Sequence, residues 1–181
     1  MANGRRYAAL LRGVNVGGKN KLPMSELRAL IEGLGHEEIA TYVQSGNVVF
    51  RTTRAAPGLA AGIEAAIEDA TGLRVKVLLR THPELVKAAA SNPYAEREST
   101  PSKLHVVFLS NAPARAAIES LDPDRSPGDR FAVIGSEIYL DVPSGSGRSK
   151  LTLDYFEKRL AVVATARNWN TLLKLIELTA D

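Results

Sequence analysis

The stretch Ile39–Arg51, IATYVQSGNVVFR, contains two runs of strand-forming residues on either side of a short turn. Ile39–Gln44 and Asn47–Arg51 are rich in β-branched and aromatic residues, and Ser45-Gly46 between them is typical of a tight turn. This pattern predicts a β-hairpin. Because the strands of a hairpin are antiparallel, the stretch argues against an all-parallel sheet.

The segments around the hairpin complete a regular order of strands and helices. Tyr7–Arg12 is a short apolar run that predicts a strand, and Arg74–Leu79 alternates basic and aliphatic residues as a half-buried strand does. Pro23–Leu34 and Leu59–Ala70 have their apolar residues at helical spacing. The resulting order, β-α-β-β-α-β, is the ferredoxin-like arrangement. We therefore predict an α+β fold with residues 1–80 as a ferredoxin-like half.

The second half, residues 81–181, repeats part of this order and is predicted to pack against the first, and the two halves can also be counted as a single domain. Thr81 to Glu84 has the pattern of a capping box for a helix that ends at Ala90, and the polar stretch Asn92–Ser102 is predicted to be a mobile loop. A strand, a helix, a hairpin and two final helices are predicted at Leu104–Leu109, Ala112–Leu121, Phe131–Ile134 with Glu137–Asp141, Thr152–Leu160 and Trp169–Leu178. The second half is thus similar to the first but partial.

The composition excludes several classes of site. The chain of 181 residues has no cysteine, which removes disulfides, thiolate zinc sites and cysteine nucleophiles. Its three histidines are far apart in sequence, so we predict no metal site. The amino-terminal residues leave no room for a signal peptide and no window is long enough to cross a membrane, so we expect a cytoplasmic protein.

The charge is modest and uneven. The formal net charge is +3, with 11 Lys+Arg against 7 Asp+Glu in residues 1–80 and 12 against 13 in residues 81–181. Such a balance favours a local pocket for an anion over attraction of a long polyanion.

The segment Gly13–Lys21, GVNVGGKNK, follows the first predicted strand and is glycine-rich, basic and free of carboxylates. Its G-x-x-x-x-G-K spacing matches a nucleotide-binding P-loop, but Asn20 stands where Ser or Thr is needed and the helix is delayed. A looser anion-binding loop and a turn with solvated lysines are the remaining interpretations. The candidate ligand-binding residues here are Arg12, Asn15, Gly17, Gly18, Lys19 and Asn20.

Two further polar segments are candidates for the same ligand. The hairpin turn offers Gln44, Ser45 and Asn47, although turn chemistry alone also explains these residues. The second half offers a basic loop and the approach to the last helix, where an asparagine is equally suited to capping. The candidates there are Ser149, Lys150, Arg167, Asn168 and Asn170.

Four motifs resemble the DUF1697 family of uncharacterised bacterial proteins. They are ALLRGVNVGGKNK, TYVQSGNVVF, SKLT and ATARNWNTLLKL, and together they extend over nearly the whole chain in order. The resemblance implies an α+β fold with ferredoxin-like halves and no particular activity. Ala166 departs from the family pattern, which has Thr or Ser at that position.

The leading functional hypothesis is that the three polar segments form one pocket for a small phosphorylated or carboxylated ligand. Arg12, Lys19, Lys150 and Arg167 would supply the positive charge. A nucleic-acid-binding module and a non-catalytic interaction protein are the alternatives. No common catalytic motif is present, and the sequence identifies neither a cofactor nor a reaction.

Overall fold

A computed structural model describes residues 4–95 and 100–180 of the chain. The strands are β1 Arg5–Leu11, β2 Glu37–Thr41, β3 Asn47–Thr52, β4 Val77–Thr81, β5 Leu104–Leu109, β6 Arg130–Ile134, β7 Glu137–Asp141 and β8 Ala164–Asn168. The helices are α1 Met24–Gly33, α2 Leu59–Thr71, α3 His82–Ala90, α4 Arg115–Glu119, α5 Leu153–Leu160 and α6 Trp169–Thr179. Residues 96–99 of the predicted mobile loop lie outside the described residues, and a 3-10 turn occupies Pro101–Lys103.

The described residues divide into two units, one from residues 4–86 with 174–180 and the other from residues 87–95 with 100–173. In the first unit, β2-β3-β1-β4 form an antiparallel sheet, which is the ferredoxin-like strand order. The predicted α+β class and the predicted hairpin are both confirmed.

Strand β1 packs against helices α1 and α2 of the first unit through one of its faces. Its alternate residues Tyr7, Ala9 and Leu11 belong to a buried cluster with apolar residues of α1 and α2. Ala8 and Leu10 between them are buried on the opposite face. Because both faces are covered, the strand is a continuous apolar run instead of an alternating one.

The second unit contains a sheet in the order β6-β7-β5-β8, again fully antiparallel. This is the complete β-α-β-β-α-β arrangement, so the second half contains one strand more than predicted. The additional strand β8, ATARN, lacks aliphatic alternation, and its pairing with β5 decides its conformation. Helix α4 is shorter than predicted at both ends. Pro113 explains why Ala112 is not helical, because the residue before a proline is disfavoured in the helical region.

Predicted helix boundaries agree closely with those of the structure elsewhere. Glu84 accepts hydrogen bonds from the backbone N–H and hydroxyl of Thr81, both at 2.7 Å, at the start of α3. Gly72 ends α2 in the left-handed conformation, with φ at 73°. No helix in residues 4–95 and 100–180 is long and apolar enough to cross a membrane.

Candidate functional site

The Gly13–Lys21 segment forms a small hairpin at the end of β1. Val16 and Lys19 pair across it, with the Lys19 N–H donating to the Val16 carbonyl at 3.0 Å. Gly17 and Gly18 at its tip have φ of 58° and 75°, the signs that a two-residue hairpin turn requires. Helix α1 begins only at Met24. This geometry differs from that of a P-loop, whose helix follows the lysine at once.

Asn15 holds this loop in place through its side chain. Its Nδ2 donates to the Leu22 carbonyl at 2.8 Å and to the Gln44 carbonyl at 2.7 Å, and its Oδ1 accepts from the Leu22 N–H at 2.8 Å. Asn20 makes a similar bond, from Nδ2 to the Gly13 carbonyl at 3.0 Å. These two amides therefore bind the loop itself, and both residues have positive φ, 54° and 48°.

The turn between β2 and β3 lies beside this loop. Leu10 is opposite Asn47 in the sheet, and the Leu11 N–H donates to the Gly46 carbonyl at 2.9 Å. The Asn47 amide is buried and donates to the Tyr42 carbonyl at 3.1 Å, whereas Gln44 and Ser45 are exposed. The structure thus brings the first two candidate segments together.

The positive charges of the Gly13–Lys21 loop have no carboxylates near them in sequence. No Asp or Glu occurs between residues 10 and 25. Lys19 and Lys21 are exposed, and neither ammonium group has an acidic partner within the described residues. Arg12 is half-buried, and its backbone N–H donates to the Lys76 carbonyl at 2.8 Å. The local surface is therefore cationic.

The remaining candidates belong to the second unit. The Ser149 hydroxyl accepts from the Leu151 N–H at 3.1 Å, and the Lys150 N–H donates to the Ser126 hydroxyl at 3.0 Å. These contacts organise the loop before α5 and leave the Lys150 side chain exposed.

Arg167 is a buried residue of β8. Its Nη1 donates to the Thr165 hydroxyl at 2.8 Å and to the Ala166 carbonyl at 2.7 Å. Burial lowers the pKa of Arg167 to about 10, so the guanidinium remains charged at neutral pH. Asn168 is exposed and caps α6, accepting from the Thr171 N–H at 2.8 Å, while Asn170 is exposed in the first turn of that helix.

Arg80 is a further buried arginine that the sequence analysis missed. It is the penultimate residue of β4 and is paired with Ala8, as Arg167 is penultimate in β8 and paired with Val106. Its Nη1 donates to the preceding carbonyl, that of Leu79, at 2.9 Å. Both arginines share one sequence feature, because each stands two residues before the first residue of a helix, His82 after Arg80 and Trp169 after Arg167.

Within residues 4–95 and 100–180, no group of three histidine, aspartate or glutamate side chains is placed to hold a metal ion. The titratable groups of the Gly13–Lys21 loop are cations. Its chemical capacity is therefore to attract and hydrogen-bond an anion.

Comparison with known proteins places the chain in a family. The model of the family described as "Protein of unknown function (DUF1697)" matches residues 5–139, and the chain belongs to this family. The structure resembles that of a conserved bacterial protein, SP0830, from Streptococcus pneumoniae, with a TM-score of 0.76 and 24% sequence identity. That match covers 98% of this chain and 99% of the other, and it supports the fold alone. No curated protein matches the chain at a significant level.

Proposed function

We propose that this protein binds a small phosphate- or carboxylate-bearing ligand and that Gly13–Lys21 is its recognition loop. The observation that carries the proposal is a carboxylate-free loop whose exposed Lys19 and Lys21 lack acidic partners within the described residues. The Asn15 side chain hydrogen-bonds the backbone of Leu22 and Gln44 and so fixes the shape of this loop. Anionic ligands are recognised by such clusters of ammonium groups and accessible amides.

The hydrogen bonds within the loop support a role in binding. Asn15 and Asn20 both adopt the left-handed region, which asparagine tolerates better than other residues with a side chain. Their amides donate to backbone carbonyls of the loop and of the neighbouring turn. A loop that is held in one conformation before binding loses less conformational entropy when it takes up a ligand.

The size of the ligand follows from the charge distribution. A net charge of +3 for the whole chain gives little long-range attraction to a polymer, whereas one loop suits a single anionic group. The cytoplasm, where phosphorylated metabolites are abundant, is the compartment we propose, in agreement with the absence of cysteine.

A thermal-shift screen of inorganic phosphate, sugar phosphates, nucleotides and citrate tests the proposal. A ligand at one hundred times its Kd raises the unfolding free energy by about 2.7 kcal/mol. We expect the double variant Lys19→Gln/Lys21→Gln to lose this stabilisation. The control is Lys87→Gln/Lys158→Gln, which removes the same charge from exposed helical positions and should respond as the wild type does.

Equal responses of the two double variants would contradict the proposal. Binding of oligonucleotides with an affinity that falls steeply with salt would instead support the nucleic-acid alternative. The lack of a response to any ligand or oligonucleotide would favour a non-catalytic interaction protein.

A further inference from the structure

A cleft that contains an arginine lies beyond the other end of strand β3. Strand β3 begins at Asn47, beside the Gly13–Lys21 loop, and ends at Thr52. Five residue steps of about 3.4 Å separate these ends by about 17 Å. Beyond Thr52, the chain forms a cleft of about 290 Å³ in front of helix α2.

One cationic side chain and one polar ring line the cleft among apolar residues and glycines. Arg54 is exposed, and its guanidinium has no carboxylate partner within the described residues. His36 is 4% exposed and stacks on Phe50 with ring centroids 4.6 Å apart. Its Nδ1 is buried and has no hydrogen-bond partner among the described residues. An unpaired polar atom of this kind costs free energy unless a further group satisfies it.

The first turn of α2 borders the same cleft through Gly58, Leu59 and Gly62. The helix has no side-chain cap and no acidic residue in this turn. Gly62 N–H donates to the Gly58 carbonyl, but the Ala60 and Ala61 N–H groups have no acceptor within the described residues. The start of a helix carries a partial positive charge. Placing the Arg54 guanidinium close to it without a counter-ion therefore costs free energy through repulsion between like charges.

We propose that this cleft binds the anionic group of a small phosphate- or carboxylate-bearing metabolite, with Arg54 as its counter-ion and the first-turn amides of α2 as donors. His36 contributes a polar ring to the lining, and Leu34, Pro57 and Leu59 contact the apolar part of the ligand. A volume of about 290 Å³ is at the lower limit for small-molecule pockets, so the ligand is smaller than a nucleotide. This site is independent of the recognition loop proposed above.

Gly62 lines the cleft and offers a test. A Cβ added to Gly62 meets no atom within 4 Å, so a larger side chain there is accommodated by the fold. Leucine is also a better helix former than glycine by about 0.8 kcal/mol. The variant Gly62→Leu should therefore fold normally while it occupies the space in front of the helix.

The experiment is a titration of the full chain with inorganic phosphate and, separately, with acetate, followed by NMR of the Ala60 and Ala61 amides and the His36 ring. We expect these signals to shift with at least one anion, and the stronger response identifies the anion class. Arg54→Gln should weaken binding about tenfold or more, as expected for loss of a charge-assisted hydrogen bond. Gly62→Leu should abolish the response.

Two controls separate this site from the recognition loop. Arg148→Gln removes an equally exposed arginine elsewhere and should bind as the wild type does. Lys19→Gln/Lys21→Gln should leave the Ala60 and Ala61 shifts unchanged, whatever its effect on the other site. The proposal is overturned if neither anion moves these signals, or if Arg54→Gln and Gly62→Leu both bind with wild-type affinity.

Discussion

Replacing Gly46 by alanine should destabilise the protein more than any other single methyl addition in the candidate site. A Cβ at this position would lie 2.5 Å from Val14 Cγ2 and 2.7 Å from Leu11 Cβ. Both neighbours are buried, at 1% and 0% exposure, so neither can move aside freely. The backbone of Gly46 also has a φ of 76°.

The expected cost has two parts. A side chain in the left-handed region costs about 1–2 kcal/mol. Overpacking of a well-packed core typically adds about 1–3 kcal/mol. The free energy of unfolding should therefore fall by about 2–5 kcal/mol in Gly46→Ala.

Gly18→Ala is the matched control. Its φ of 75° is nearly the same, but a Cβ there meets nothing within 4 Å. Urea unfolding followed by circular dichroism gives both free energies, and the difference between the two variants isolates the steric part. If Gly46→Ala is as stable as Gly18→Ala, the close packing of the hairpin turn against the first loop is refuted.

Three further perturbations test the remaining parts of the structure. Asn168→Ala removes the cap of α6 and should lower the unfolding free energy by about 1 kcal/mol, whereas Asn170→Ala should change it by less than about 0.5 kcal/mol, as urea titration will show. Arg130→Ala leaves the Asp141 carboxylate buried without its partner and should cost about 2 kcal/mol by the same assay, less than for a fully buried pair because the Arg130 side chain is 40% exposed. Burial lowers the pKa of His36 in the folded state below its ordinary 6.5, so the unfolded state binds more protons than the folded state as the pH falls below 6.5, and the free energy of unfolding decreases there. His36→Gln should flatten this part of a curve of Tm against pH, and an unchanged slope would contradict the prediction.

The first unit was predictable in outline because its signals are local. The hairpin around Ser45-Gly46, the two helices and the capping box at Thr81 each depend on residues within a few positions of one another. Strand β4 begins three residues later than predicted. The N–H of its first residue, Val77, donates to Glu64 Oε1 on α2 at 2.9 Å, a contact between separate segments.

The position of the candidate binding loop could be predicted from the sequence, but the roles of its individual residues could not. The cationic, glycine-rich loop is evident from composition alone. That the side chains of Asn15, Asn20 and Asn47 hydrogen-bond the loop and turn from within follows only from the folded backbone. An asparagine side chain has the same donors and acceptors whether it hydrogen-bonds its own loop or a ligand, so the residue type alone does not distinguish the two roles.

By itself, the amino-acid sequence determined the α+β class, the order of elements in the first half and the position of a basic segment free of carboxylates. These depend on periodicity, turn residues and charge, which act over short stretches of chain. The tertiary structure alone decided that ATARN is strand β8, that Arg80 and Arg167 are buried at equivalent positions, and that His36 and Arg54 line a cleft before α2. Each of these results depends on strand pairing or burial between segments distant in sequence, and local propensity carries no information about such contacts.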